Sequence, residues 1–485
     1  MNTAKLKKFA QSARRQLRDQ ITAKIEHVLK VDSIEYREKE KAVRQLQDKI
    51  SVTSREQVID QVAYTWFNRF CALRFMDVNR YTLIGTVSPT EGFTQPEILA
   101  DAKQGHIDED FNPYLDRNKV FGLLNGSISS ADPQAEAYRL LLVAVCNYYH
   151  RSMPFLFEKI DDYTELLMPD DLLSENSILT ELRDAMSEES CKDVEVIGWL
   201  YQFYISEKKD EIFDGLKKNK KITPQNIPAA TQLFTPNWIV RYLVENSVGR
   251  LWMLNHPQSN LVDQMQYYIK PDEPETDFLK IPSPEELRIC DPACGSGHML
   301  VYAFELLYSI YEEEGYEPTE IPTLILQNNL YGIEIDERAG ELAAFALVMK
   351  AREKYRRFLG KPVQPNICLL ENVSFEDGEL EELKKAVGSD YFSVDLKTTL
   401  RQFEEADNFG SLIRPVLTDL SDIQSRIETT DTSGNFALYQ AKQKAITALK
   451  QAEYLSSRYH VVVANPPYMG GKGMNPRLGS WAKDN

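Results

Sequence analysis

Four residues in the last part of the sequence, Asn465-Pro466-Pro467-Tyr468, are of types that can act on a planar nitrogen. An exocyclic amine delocalises its lone pair into its ring and is a poor nucleophile. Two acceptors aimed at its two N–H bonds, the Asn465 side-chain oxygen and the Pro466 carbonyl, would draw the nitrogen toward sp³. They would also stabilise the positive charge that develops during attack. Tyr468 could stack on a base turned out of a duplex. The plain alternative for these four letters is a loop corner with an Asx turn.

The stretch before them must hold this tip in place. Val461 to Val463 is a β-branched run, which predicts a strand covered on both faces. The two prolines stop that strand, and Pro466 keeps Asn465 extended. A polar tip at the carboxyl end of a strand is where open α/β sheets bind ligands.

A second group lies upstream. Leu287 to Cys290 reads as a strand, followed by Asp291-Pro292-Ala293-Cys294-Gly295-Ser296-Gly297-His298 and a helix from about Met299 to Gly315. The glycines permit a tight turn and close approach of a ligand to the backbone. As a dinucleotide fingerprint the loop fails, because GxGxxG would require glycine at Leu300. Leu330 to Asp336 reads as a second strand ending in acids. Glu334 is the candidate to accept ribose hydroxyls, and Asp336 the N-cap of the helix that follows. Asn366 to Leu370 is a third strand with Glu371-Asn372 at its tip. Earlier still, Phe234-Thr235-Pro236 opens a helix, with Thr235 as N-cap and Pro236 at its first position.

The rest of the chain names no chemistry. At 485 residues two to three domains are expected. Residues 1–225 read as a mainly α-helical domain, with Ser54 and Gln57 as a capping box, an apolar helix over Leu140 to Phe157, a charged stretch at 207–221 and a boundary at Thr223-Pro224 just after it. Residues 226–485 read as an α/β domain. It carries a helical insertion at about 373–457, too long for one crossover and expected to pack on the first domain. The net charge of −17 argues against a uniformly DNA-coating surface, although residues 1–50 carry thirteen Lys/Arg against seven Asp/Glu. Such a mixed-sign run is more often a solvated helix face. The glycines and basic residues at 470–483 would suit phosphate contacts or a frayed terminus equally. Six cysteines without a CxxC pair predict neither disulfides nor a metal site. The longest strongly apolar run, Leu140 to Cys146, is far short of the ~20 residues that span a bilayer, so a cytoplasmic protein without a membrane partner is expected.

In this order, Phe234-Thr235-Pro236, Asp-Pro-Ala-Cys-Gly-Ser-Gly, the acidic second strand and Asn-Pro-Pro-Tyr resemble the γ-class adenine-N6 DNA methyltransferases. The stretches at 65–76 and 465–475 look most like the PglX methyltransferases of BREX phage-defence systems. The resemblance implies a Rossmann-like domain that uses S-adenosylmethionine to methylate N6 of a flipped adenine in double-stranded DNA. Other defence-system proteins or a phage-encoded inhibitor would be further partners. It implies that Phe234, Thr235 and Pro236 border the cofactor pocket, that Asp291, Ala293, Gly295 and Gly297 hold its methionine end, and that Glu334 takes the ribose, with Ile335 against the adenine. Asn372 or Glu371 stands where the family often has the Asp that reads the cofactor's adenine amino group. Asn465, Pro466, Pro467 and Tyr468 would be catalytic. The family continues beyond this motif with further strands and a recognition domain, so a C-terminally incomplete catalytic domain is expected.

Two other readings stand beside this one. A glutamine side-chain amide in a protein poses the same chemical problem as the ring amine. A cofactor-binding fragment or subunit without catalysis would keep the glycine loop and gain nothing from Asn465.

Overall fold

The computed structural model describes residues 3–160, 163–233 and 235–484. The chain divides into two compact units, Met1–Glu207 with Val348–Gln364, and Lys208–Leu347 with Pro365–Asn485. Among the described residues no helix is long and apolar enough to cross a membrane.

The first unit is built from helices. Helix α1 (Thr3–Val28) buries Leu6, Phe9, Ala13, Leu17, Ile21 and Ile25, a stripe of three- and four-residue steps. Its basic residues point outward into ion pairs, Arg14 to Glu207 at 3.4 Å and Arg18 to Glu56 and Asp60. The basic head is thus a paired, solvated helix face. Helix α2 (Arg55–Val78) starts where Ser54 accepts from the Gln57 N–H at 3.2 Å. Helix α3 (Pro133–His150) begins seven residues ahead of the apolar run, because Asp132 caps it through the Ala135 N–H. Most of the charged stretch at 207–221 forms the end of α4 (Glu195–Lys217). Its charges sit at helical spacing and pair as Lys208–Glu211 and Asp214–Lys217.

The second unit holds a four-stranded parallel sheet in the order β3-β2-β1-β4. Its strands are β1 (Ile289–Asp291), β2 (Leu330–Glu334), β3 (Asn366–Leu369) and β4 (Val461–Val462). Successive β2 residues face opposite layers. On one side a Cβ at Gly332 would meet Leu300, from helix α6 (His298–Glu313). On the other side Ile333, with Cys290 and Cys368, joins the core of the helical insertion, including Leu380, Leu383, Leu449 and Ala452. The insertion therefore packs on the sheet of its own unit.

A correction concerns β4. Val461 and Val463 are buried, but Val462 is 61% exposed. The strand pairs with β1 alone among the described residues and is an edge strand, and the face that carries Val462 lacks a covering layer. Its amino end is held by His460, whose Nδ1 accepts from the Arg288 N–H at 3.1 Å while its own N–H donates to the Arg288 carbonyl at 2.8 Å. The Arg288 guanidinium lies over the rings of Tyr331 and Tyr459, which ties β1, β2 and β4 together.

Gly297 has φ +88°, and a Cβ there would stand 3.0 Å from the Cβ of Ala343 in helix α7 (Glu337–Lys354). Gly297→Ala adds strain and a steric contact together. It should destabilise the protein by about 1–3 kcal/mol, read as a fall in the urea midpoint. A variant as stable as its parent would show that the turn relaxes freely.

Candidate active site

Parallel pairing brings the two chemically suggestive loops to one edge of the sheet. Ile289 is in register with Val461 and Cys290 with Val462, and the Val463 N–H donates to the Cys290 carbonyl at 2.9 Å. Both strands then end at the same level. Residues 291–297 leave β1 and residues 464–468 leave β4 side by side.

They open into one cavity of about 500 Å³. Its walls include Thr235, Asp291, Ala293, Gly295, Glu334, Ile335, Asn465, Pro466 and Pro467. Most of the site residues expected from sequence thus share a single chamber. Thr235 is not a helix cap: helix α5 (Asn237–Val244) starts after Pro236 with no side-chain cap. The Thr235 hydroxyl instead accepts from Asn465 Nδ2 at 3.1 Å. That bond commits the amide nitrogen and leaves Oδ1 as the acceptor end of Asn465. Phe234 lies outside the described residues.

The glycine loop is closed from the second strand. Glu334 Oε2 accepts from the Gly295 N–H at 2.8 Å, and Oε1 accepts from the Ile335 and Asp336 N–H groups at 2.9 Å each. Asp291 accepts from the Ala293 N–H at 3.1 Å. Gly295 and Gly297 both have positive φ, which lets the loop turn tightly at the floor of the cavity. Asp336 caps α7 through the Arg338 N–H at 3.3 Å and also binds the Arg338 side chain.

Four expected residues stand apart. Pro236 is not among the cavity walls and sits at the N-cap position of α5. Gly297 serves the turn into α6. Asn372 is not among the cavity walls; its Oδ1 accepts from the Asp407 N–H at 3.0 Å. Tyr468 is 68% exposed, beyond Pro467. Conversely, sequence reading passed over Asn408 to Leu412 and Leu478, Trp481 and Ala482, which also line the chamber. The last three belong to helix α8 (Pro476–Asp484). No local pattern marks these residues, since they arrive by long-range folding.

The sequence pattern of Eco57I restriction-modification methylases matches residues 328–485, and that of the MmeI DNA-methyltransferase domain matches residues 282–373. The chain is 38% identical over 538 aligned residues to the adenine-specific methyltransferase BrxX of Escherichia coli O9:H4 (strain HS), covering all of this chain and 44% of the relative. It is 34% identical over 450 residues to the adenine-specific methyltransferase PglX of Lacticaseibacillus casei (strain Zhang), covering 87% of this chain and 36% of that protein. The chain is thus similar over its whole length to an adenine-specific methyltransferase. It spans less than half the length of the curated relatives it matches.

Methyltransferase relatives imply S-adenosylmethionine as methyl donor. The size of the chamber suits a nucleoside-bearing ligand, and its walls are apolar with a few convergent polar groups. Carboxylates at strand tips suit ribose hydroxyls. These residues fit the group.

Burial pushes both carboxyls upward, Asp291 to about 7 with the nearby Glu334 adding to the effect, and Glu334 to about 7 against the backbone N–H bonds that oppose the shift. The folded protein therefore holds protons that the unfolded chain releases near pH 4. Stability from these two groups is fully present below that value and is lost as pH rises to about 7. Thermal melts of the ligand-free protein should fall across this window. Asp291→Asn, which keeps the oxygen facing Ala293, should flatten the slope. An unchanged slope would place the protons elsewhere.

Proposed function

We propose that this chain carries the cofactor-binding and catalytic part of a DNA methyltransferase that modifies N6 of adenine. The single observation that carries the reading is the convergence of Asn465, Pro466, Thr235 and the 291–297 loop on one chamber. On this reading residues 1–225 form a helical domain and residues 226–485 the methyltransferase domain, with its insertion at about 373–457.

When bound, S-adenosylmethionine supplies an electrophilic methyl group on a sulfonium. The 291–297 loop and the acids at the strand tips bind and orient it: Glu334 accepts the ribose hydroxyls, Ile335 covers an apolar surface, and the glycine backbone leaves room at the methionine end. Asn465 Oδ1 and the Pro466 carbonyl accept the two N6–H bonds of an adenine drawn out of the duplex. They hold that nitrogen in line with the donor and stabilise the charge it gains. Tyr468, exposed beside the tip, is the aromatic platform for the displaced base. The adenine specificity of BrxX and PglX favours the ring amine over a glutamine amide. Action in phage defence, alongside other proteins of such a system, follows from the same kinship.

Incubation with unmethylated duplex DNA and methyl-labelled S-adenosylmethionine, followed by digestion, should yield N6-methyladenine. Asn465→Ala should lower the rate by roughly 10²–10³ while the cofactor still binds. A wild-type protein that binds the cofactor but labels no adenine would defeat the reading. The ionised Glu334 is the form that accepts ribose hydroxyls, so cofactor affinity should weaken as pH falls through about 7. Calorimetric titration on either side of that pH checks it, and a flat profile would remove Glu334 from the ribose.

A further inference from the structure

Part of the chamber wall that sequence reading missed comes from the helical insertion: residues 408–412 line the chamber, at the end of a segment that runs from 405 to 412. We propose that this segment is a strap that forms the adenine-facing wall of the cofactor site, with Phe409 as its recognition surface and Asn372 as a positioning residue that holds it. The inference rests on the cofactor reading above and assigns to that site residues outside its strand-tip motifs.

The strap is tied on three sides. The Ser411 hydroxyl donates to the Pro292 carbonyl, inside the loop that leaves β1. Asn372, at the tip of β3, accepts from the Asp407 N–H at 3.0 Å. Asn475 Nδ2 donates to Asn408 Oδ1 at 2.7 Å, and Arg477 grips Glu405 with Nε at 2.9 Å and Nη2 at 2.6 Å. These last bonds come from the segment that follows the Asn-Pro-Pro-Tyr tip. The strap thus bridges the cofactor loop and the catalytic corner.

Its own backbone is shaped for close approach. Gly410 has φ +52°, and a Cβ there would lie 3.1 Å from Ile335 Cγ2. A side chain at 410 would be both strained and crowded against Ile335. The strap therefore lies against the end of β2, and Phe409 and Ile335 line the same chamber. A flat heteroaromatic ring is the part of S-adenosylmethionine that gains most from a phenyl face. Asn372, by contrast, spends its side-chain oxygen on the strap backbone.

The two possible roles of Asn372 predict different ligand dependence. An Asn372 that read the adenine amino group would matter for S-adenosylmethionine and not for its deaminated S-inosyl analogue. An Asn372 that holds the strap would matter equally for both. Calorimetric titration of the wild-type protein, Asn372→Ala, Phe409→Ala and Phe409→Leu with the two ligands separates them. Thermal melts identify any variant that fails to fold. Phe409→Ala should weaken both ligands by about tenfold or more, and Phe409→Leu should recover only part of that loss. Asn372→Ala should weaken both by the same factor, about three- to tenfold. Hydrogen exchange supplies a readout independent of affinity: amides of 405–412 should slow when S-adenosylmethionine binds the wild-type protein, and should exchange faster in Asn372→Ala without ligand. Unchanged affinity in folded Phe409→Ala, or a loss in Asn372→Ala confined to S-adenosylmethionine, overturns the strap assignment. A wild-type protein that binds neither ligand overturns the cofactor reading itself and this inference with it.

Discussion

The second unit depends on the parallel pairing of β1 with β4. Their sequence positions are more than 170 residues apart, yet Ile289 and Val461 stand in register. Parallel strands point their carboxyl ends the same way, so whatever follows each is delivered to one edge. A slip of one residue would turn Val461 and Val463 out of the core. The Arg288–His460 backbone pair and the rings stacked on Arg288 hold the start of β4 against that slip. The Thr235–Asn465 bond then sets the amide at its far end.

Within the chamber, two carboxyl groups occupy positions that water does not serve well. Asp291 is almost fully buried, and Glu334 gives its oxygens to three backbone N–H groups. Those bonds shape the glycine loop while burial resists the charge they favour. The site is preorganised at some cost in stability, an arrangement common where ligand binding later supplies the missing partners.

The helical insertion does two things with one set of side chains. Its apolar faces cover the sheet through Leu380, Leu383, Leu449 and Ala452. Its segment from Glu405 to Leu412 keeps Ala406 in that core, packs Phe409 against it, and reaches the chamber from there. A long excursion from a compact fold is tolerated because loop closure costs grow only slowly with length.

Much of this protein could be read from its residues alone. The strand, turn and helix at 289–313, the acids ending β2, and the stop imposed by Pro466 and Pro467 follow from local rules: β-branched runs extend, glycine accepts positive φ, and proline withdraws a donor. Thr235 illustrates the limit of such rules. Its type and place suit a helix cap, yet its hydroxyl serves Asn465, 230 residues away. Likewise Val462 looks buried in a valine run and is exposed, because burial depends on which layers cover the strand. Asn372 stands at a strand tip, but its partner is Asp407 in the strap. Local propensity is set by neighbours in the chain. The walls of a chamber are set by whichever distant segments the packed core brings together, and only the folded chain decides that.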